Sequence, residues 1–183
     1  MQKFTYSFPM RMLYRYGNIP ITVVLLIYLF GAVYNLDKSL INLIPLIITA
    51  LLIYFLNRQY LMLYKTMPFS IIADREKLVC TDFTLSNKEL VIYYKDIDKL
   101  KGGIFEGRVN SLMRIYESQR SLFVCFFTTI KNSKNLQTII LSKVNKDLYD
   151  SVINKLKDRK EELKNQRNII SKVKSVKKKK KKS

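Results

Sequence analysis

Between Ile19 and Leu56 the chain carries two uncharged apolar runs separated by three residues, and few folds can accommodate that arrangement. The first run, IPITVVLLIYLFGAVYNL, is 18 residues long, and the second, LINLIPLIITALLIYFL, is 17. At a rise of about 1.5 Å per residue each spans roughly 25–27 Å as a helix, close to the ~30 Å hydrocarbon core of a bilayer. Only Asp37, Lys38 and Ser39 intervene, so two helices here must be antiparallel neighbours. A helix that is apolar on every face lies either in a large core or in lipid, and 183 residues are too few to wrap two of them. The expectation is a transmembrane helical hairpin over 19–56, with spans at about 19–36 and 40–56. A cleaved signal peptide fits less well. The first run is near the upper limit of a signal h-region, and Ala32 has no small residue two positions away to complete a cleavage site.

Charge is distributed unevenly. Residues 1–68 carry six Lys/Arg and one acid, residues 69–140 eleven and eight, and residues 141–183 sixteen and five, out of a formal net charge of +19. The middle of the chain is nearly balanced, and the excess lies beside the apolar runs and in the tail. That placement points to an anionic lipid surface rather than a basic groove for nucleic acid, and no nucleic-acid partner is expected. Lys3, Arg11 and Arg15 precede the first run, and Arg58 and Lys65 follow the second. By the positive-inside rule, a multi-pass protein of the inner or plasma membrane with both termini cytoplasmic is expected. Cys80 and Cys125 then face a reducing compartment and are expected to be free, buried thiols.

Taken in order, residues 1–18 mix aromatic and basic side chains. They suit either an interfacial segment with rings at headgroup level or a first strand packing on the domain that follows. Gly31 and Ala32 offer close approach to a second helix, and no ionisable group stands at membrane depth to mark a transport path. Residues 57–68 are expected to carry the second helix onward until Pro68 stops it. From 69 the pattern turns to short β-prone runs: 69–73, 77–81, 89–94, 112–117, 122–130 and 136–142, separated by glycines and polar clusters. The period changes again at Asn145, where Leu148, Val152, Leu156 and Leu163 recur at helical spacing. This predicts a domain over 69–165 closed by one amphipathic helix. Residues 166–183 are expected to form a disordered polybasic tail.

The segment ELVIYYKDIDKLKGGIFEGRVNSLMRIYE (89–117), with Tyr94, Asp96, Ile97 and Leu100, and the turn DREKL (74–78) resemble the bacterial pleckstrin-homology-like membrane proteins over roughly residues 20–165. The resemblance implies an α+β membrane protein in which the hairpin is followed by a PH-like antiparallel β-barrel or sandwich, capped by the C-terminal amphipathic helix. It implies no shared catalytic set. Eukaryotic namesakes bind phosphoinositides through basic residues of the first loop. The corresponding Asp74, Arg75, Glu76 and Lys77 are charge-balanced, which does not favour that ligand.

Few chemical signatures survive a search of the residues. The absence of histidine removes the commonest general base and most zinc sites. Gly102, Gly103 and Gly107 form no phosphate loop. Asp96 and Asp98, interleaved with Lys95, Lys99 and Lys101, read as a solvated turn. No catalytic residue, metal, cofactor or small-molecule substrate is expected. The candidate lipid-binding residues are Arg11 and Arg15 with Lys177, Lys178, Lys179, Lys180, Lys181 and Lys182. Near an anionic leaflet each such cation contributes about 1 kcal/mol. Codon drift in a chain rich in Lys, Ile and Asn accounts equally well for the lysine run, and Lys180 and Lys181 also match a eukaryotic dilysine retrieval signal. The expected function is a non-catalytic, membrane-anchored module for protein interaction or assembly at the cytoplasmic face. Alternatives are peripheral sensing of anionic lipid through the basic segments, and an accessory subunit of a membrane complex with Gly31 and Ala32 at its contact face.

Overall fold

The computed structural model describes residues 1–35, 43–107 and 111–180, with side chains as far as residue 166. It divides into two compact units, Met1–Val91 with Thr129–Asn132, and Ile92–Thr128 with Ser133–Ser183.

The first unit opens with β1 (Gln2–Thr5) and α1 (Phe8–Tyr16), continues through α2 (Asn18–Tyr34) and α3 (Leu43–Thr66), and returns through β2 (Ser70–Ala73) and β3 (Lys77–Thr81) to the start of β4 (Leu90–Tyr93). The sheet order is β1-β2-β3-β4. The strands β1 and β2, and β2 and β3, are antiparallel, with Phe4 opposite Ile71 and Ile71 opposite Cys80. These three residues form a buried row across the sheet, because residues in register on adjacent strands share a face. Within residues 1–18 the strand β1 covers only Gln2–Thr5, and α1 follows with Pro9 in its first turn, where a missing N–H costs nothing.

The most apolar 18-residue windows of Phe8–Tyr34 and Leu43–Thr66 have mean hydropathies of 1.8 and 1.6, and no part of either window is buried within the chain. By length and composition both can cross a membrane. The expected turn at 37–39 lies outside the described residues. The helix α3 runs well past Leu56, and Pro68, which cannot donate an amide hydrogen, comes two residues after its end.

The second unit holds β5 (Lys99–Lys101), β6 (Leu112–Glu117) and β7 (Leu122–Phe127), an antiparallel sheet in the order β5-β6-β7 with Ile115 opposite Val124. Alternation along β6 buries Met113, Ile115 and Glu117. Two helices follow, α4 (Ser133–Lys143) and α5 (Lys146–Lys180).

The barrel expectation is corrected. The described strands lie in two separate sheets of four and three strands, with no closed barrel among them. The chain leaves β4 through a 3-10 turn at Tyr94–Asp96, and the run 136–142, expected as a last strand, is part of α4. Its Ile139-Ile140 pair is β-prone locally, but burying Leu136, Gln137 and Ile140 together requires the i, i+1, i+4 geometry of a helix. The helix α5 continues to Lys180, past the point where fraying is expected. Lysine is a good helix former, so composition alone does not stop a helix there.

Candidate functional site

The first unit builds its most organised cluster around α1. Arg11 and Arg15 are one turn apart, so helical geometry puts both guanidinium groups on one face. Both ion-pair with the carboxylate of Asp82, just beyond β3. The side chains are 42% and 19% exposed for Arg11 and Arg15, and 31% for Asp82. The Phe69 ring completes the seat. Arg15 lies over it with its guanidinium carbon 4.7 Å from the centroid, and Arg11 lies at 5.9 Å, within cation–π range. Tyr6 meets Phe69 edge-on at 5.6 Å and Tyr14 at 5.7 Å. Two cations against one anion leave a single net positive charge. Arg11 and Arg15 are thus brought together as the spacing suggests, but each already has an acidic partner, which sequence reasoning missed.

A second network ties α2 to α3. Asn18 Nδ2 donates to Asn57 Oδ1 at 2.9 Å. Asn57 Nδ2 donates to Thr22 Oγ1 at 3.1 Å and to the Ile53 carbonyl at 2.9 Å. The Tyr64 hydroxyl is within donating distance of Asn18 Oδ1, at 2.7 Å, and of the Arg15 carbonyl, at 2.6 Å. The joint between α1 and α2 is close-packed: a Cβ at Gly17 would lie 2.8 Å from the Tyr60 hydroxyl. Asn18, Thr22 and Asn57 went unnoticed in the sequence. The available signal was that they are the polar residues bordering apolar helices, where such groups seek partners across the helix pair.

Further along the same pair, a cleft of about 470 Å³ is bordered by Gly31, Ala32, Asn35, Pro45 and Thr49 among others. Nothing stands within 4 Å of a Cβ placed on Gly31, so the two small residues named in the sequence open onto unfilled space.

In the second unit, Glu117 is 1% exposed and is gripped by Arg120, whose Nη2 donates to Glu117 Oε2 at 2.9 Å while Nε engages Oε1. This hydrogen bond raises the Arg120 pKa further. A charged cleft of about 340 Å³ is lined by Glu106, Lys155, Asp158, Arg159 and Glu162, with Arg159 paired to Glu162 at 2.7 Å. Both cysteines are free and buried. Burial pushes the Cys80 thiol up to about 12, because a thiolate is costly away from water. Among the described residues no three His, Cys, Asp or Glu side chains converge as a metal-holding group.

Lys177, Lys178, Lys179 and Lys180 fall within α5, beyond the last described side chain, and Lys181 and Lys182 lie outside the described residues. Compared with known proteins, the chain matches no family model, no curated protein and no solved structure.

Proposed function

We propose that this chain is a non-catalytic, two-span membrane protein whose strand-rich parts engage another protein or an assembly at the cytoplasmic face. One observation carries the reading. The windows of both long helices are wholly unburied, while the polar side chains at their bordering ends bond to one another through Asn18, Asn57 and Thr22. Apolar faces turned outward and polar groups turned toward a partner helix are what a helix pair needs in lipid, where water cannot satisfy an amide. The resemblance of residues 89–117 to PH-like membrane proteins, which implies no shared catalytic set, supports the non-catalytic part of the reading. The Lys and Arg residues flanking the spans support cytoplasmic termini.

The test is extraction of native membranes at alkaline pH, followed by protease protection and crosslinking. The expected result is a chain retained in the membrane pellet, both ends cleaved only from the cytoplasmic side, and a discrete crosslinked neighbour. Release into the supernatant overturns the anchoring, and only self-crosslinks or none overturn the adaptor role.

The accessory-subunit reading gains from one feature, the unfilled cleft at Gly31 and Ala32. There, Gly31→Leu is expected to abolish co-purification with a partner helix.

A further inference from the structure

The helix α5 changes character midway. Its first half packs within its own unit: Val152 is fully buried. A Cβ at Gly107, where φ is +67°, would lie 2.8 Å from Arg159 Cγ, so the left-handed glycine lets the helix approach. Leu163 is 40% exposed, and residues 160–166 are all open to solvent. Charge switches at the same place. Residues 146–162 carry five Lys/Arg and five Asp/Glu, whereas residues 163–183 carry ten Lys/Arg and no acid.

The distal half also has two faces. At 3.6 residues per turn, Leu163, Ile169, Ile170, Val173 and Val176 fall within an arc of about 140°, with Gln166 among them and no charged residue in it as far as position 176; beyond that, Lys177 and Lys180 fall in the same arc. Lys164, Arg167, Lys172 and Lys174 fall on the remaining side. A solvated spacer needs no apolar arc. A nucleic acid would take the charge and leave the arc uncovered. A second copy of the same helix would cover the arc but would set ten unopposed cations against ten more. An anionic bilayer surface satisfies both faces, the arc at the acyl boundary and the cations among the headgroups.

We propose that residues 163–176 of α5 form an amphipathic helix that lies on an anionic bilayer surface, with the arc of Leu163, Ile169, Ile170, Val173 and Val176 toward lipid and the lysine run from 177 adding charge beyond its end. The proposal rests on the anchored reading only for the nearness of a membrane. The contact itself needs no span.

The chain has no tryptophan, so Ile170→Trp is a single reporter in the full-length protein. The protein is placed in nanodiscs of phosphatidylcholine alone or with added phosphatidylglycerol. Blue-shifted emission, quenched by brominated acyl chains, is expected in the anionic discs and not in the neutral ones. It is expected to be lost near 1 M salt, where the screening length falls to about 3 Å. Adding Lys164→Gln, Lys172→Gln and Lys174→Gln, or separately Ile169→Ser and Val173→Ser, is expected to abolish the shift. Equal emission in both discs overturns the proposal. So does a shift independent of lipid charge, which would indicate self-association, or a shift produced by added RNA in neutral discs. A chain that enters neither disc overturns the two-span reading instead. The same emission is then read on added vesicles of the two compositions, so the two failures are distinguishable.

Discussion

Asn18 donates a hydrogen bond to Asn57 at 2.9 Å, joining the start of α2 to the second half of α3 through their side chains. Asn57 accepts that bond through Oδ1 and donates its two amide hydrogens to Thr22 Oγ1 and to the Ile53 carbonyl of its own helix. Interhelical hydrogen bonds in bilayers average about 0.6 kcal/mol and reach about 1.7. Asn57→Leu is therefore expected to destabilise the helix pair by about 1–2 kcal/mol, read as an earlier midpoint in unfolding by SDS titration from mild detergent. An unchanged midpoint would show that the network orients the helices without stabilising them.

Asp82 holds Arg11 and Arg15 together from a left-handed backbone position with φ +63°. Asparagine tolerates that conformation, so Asp82→Asn removes the charge and keeps the turn. Partly exposed ion pairs contribute about 0.2–1 kcal/mol each, so the expected loss is about 1 kcal/mol. Limited trypsin digestion after Arg11 and Arg15 should accelerate in this variant. Digestion at the wild-type rate would show that the aromatic seat alone holds α1.

Glu117 keeps its carboxylate buried because Arg120 covers it. Arg120→Ala strands that charge, and a lower Tm is expected, because a buried carboxylate without its partner is costly while the half-exposed site lets water make up part of the loss. The double variant with Glu117→Gln should recover part of the loss. Thermal unfolding of all four proteins gives the coupling directly, and strict additivity would mean that the pair is energetically inert.

Cys80 ionises harder folded than unfolded. Its pKa rises from an ordinary value of 9.0 to about 12 through burial. The contribution of the neutral thiol to stability is then intact below about pH 9 and is lost as pH rises toward 12. In Cys80→Val the fall in Tm across that window is expected to be shallower. Alkylation of Cys80 at neutral pH should require denaturant, and rapid labelling of the native protein would contradict its burial.

Much of the first unit can be read from local pattern. The strands β2 and β3 appear as short β-branched runs either side of Asp74-Arg75-Glu76. The same logic misreads 136–142, because Ile139 and Ile140 carry a β signal that the burial of Leu136, Gln137 and Ile140 overrides. For the arginine cluster, the spacing of Arg11 and Arg15 gives the shared face. Asp82 is 67 residues from Arg15, and nothing in the intervening sequence marks it as their partner.

The order of residues alone determined that two long apolar helices form and that positive charge gathers outside them, since runs of 17 and 18 uncharged residues have no polar face to offer water. Folding in three dimensions decided which polar groups meet: Asp82 with Arg11 and Arg15, and Asn57 with Asn18 and Thr22. It also decided that the described strands lie in two sheets. Hydrogen bonds and ion pairs act over about 3–4 Å, and separation along a chain says little about which distant groups come that close.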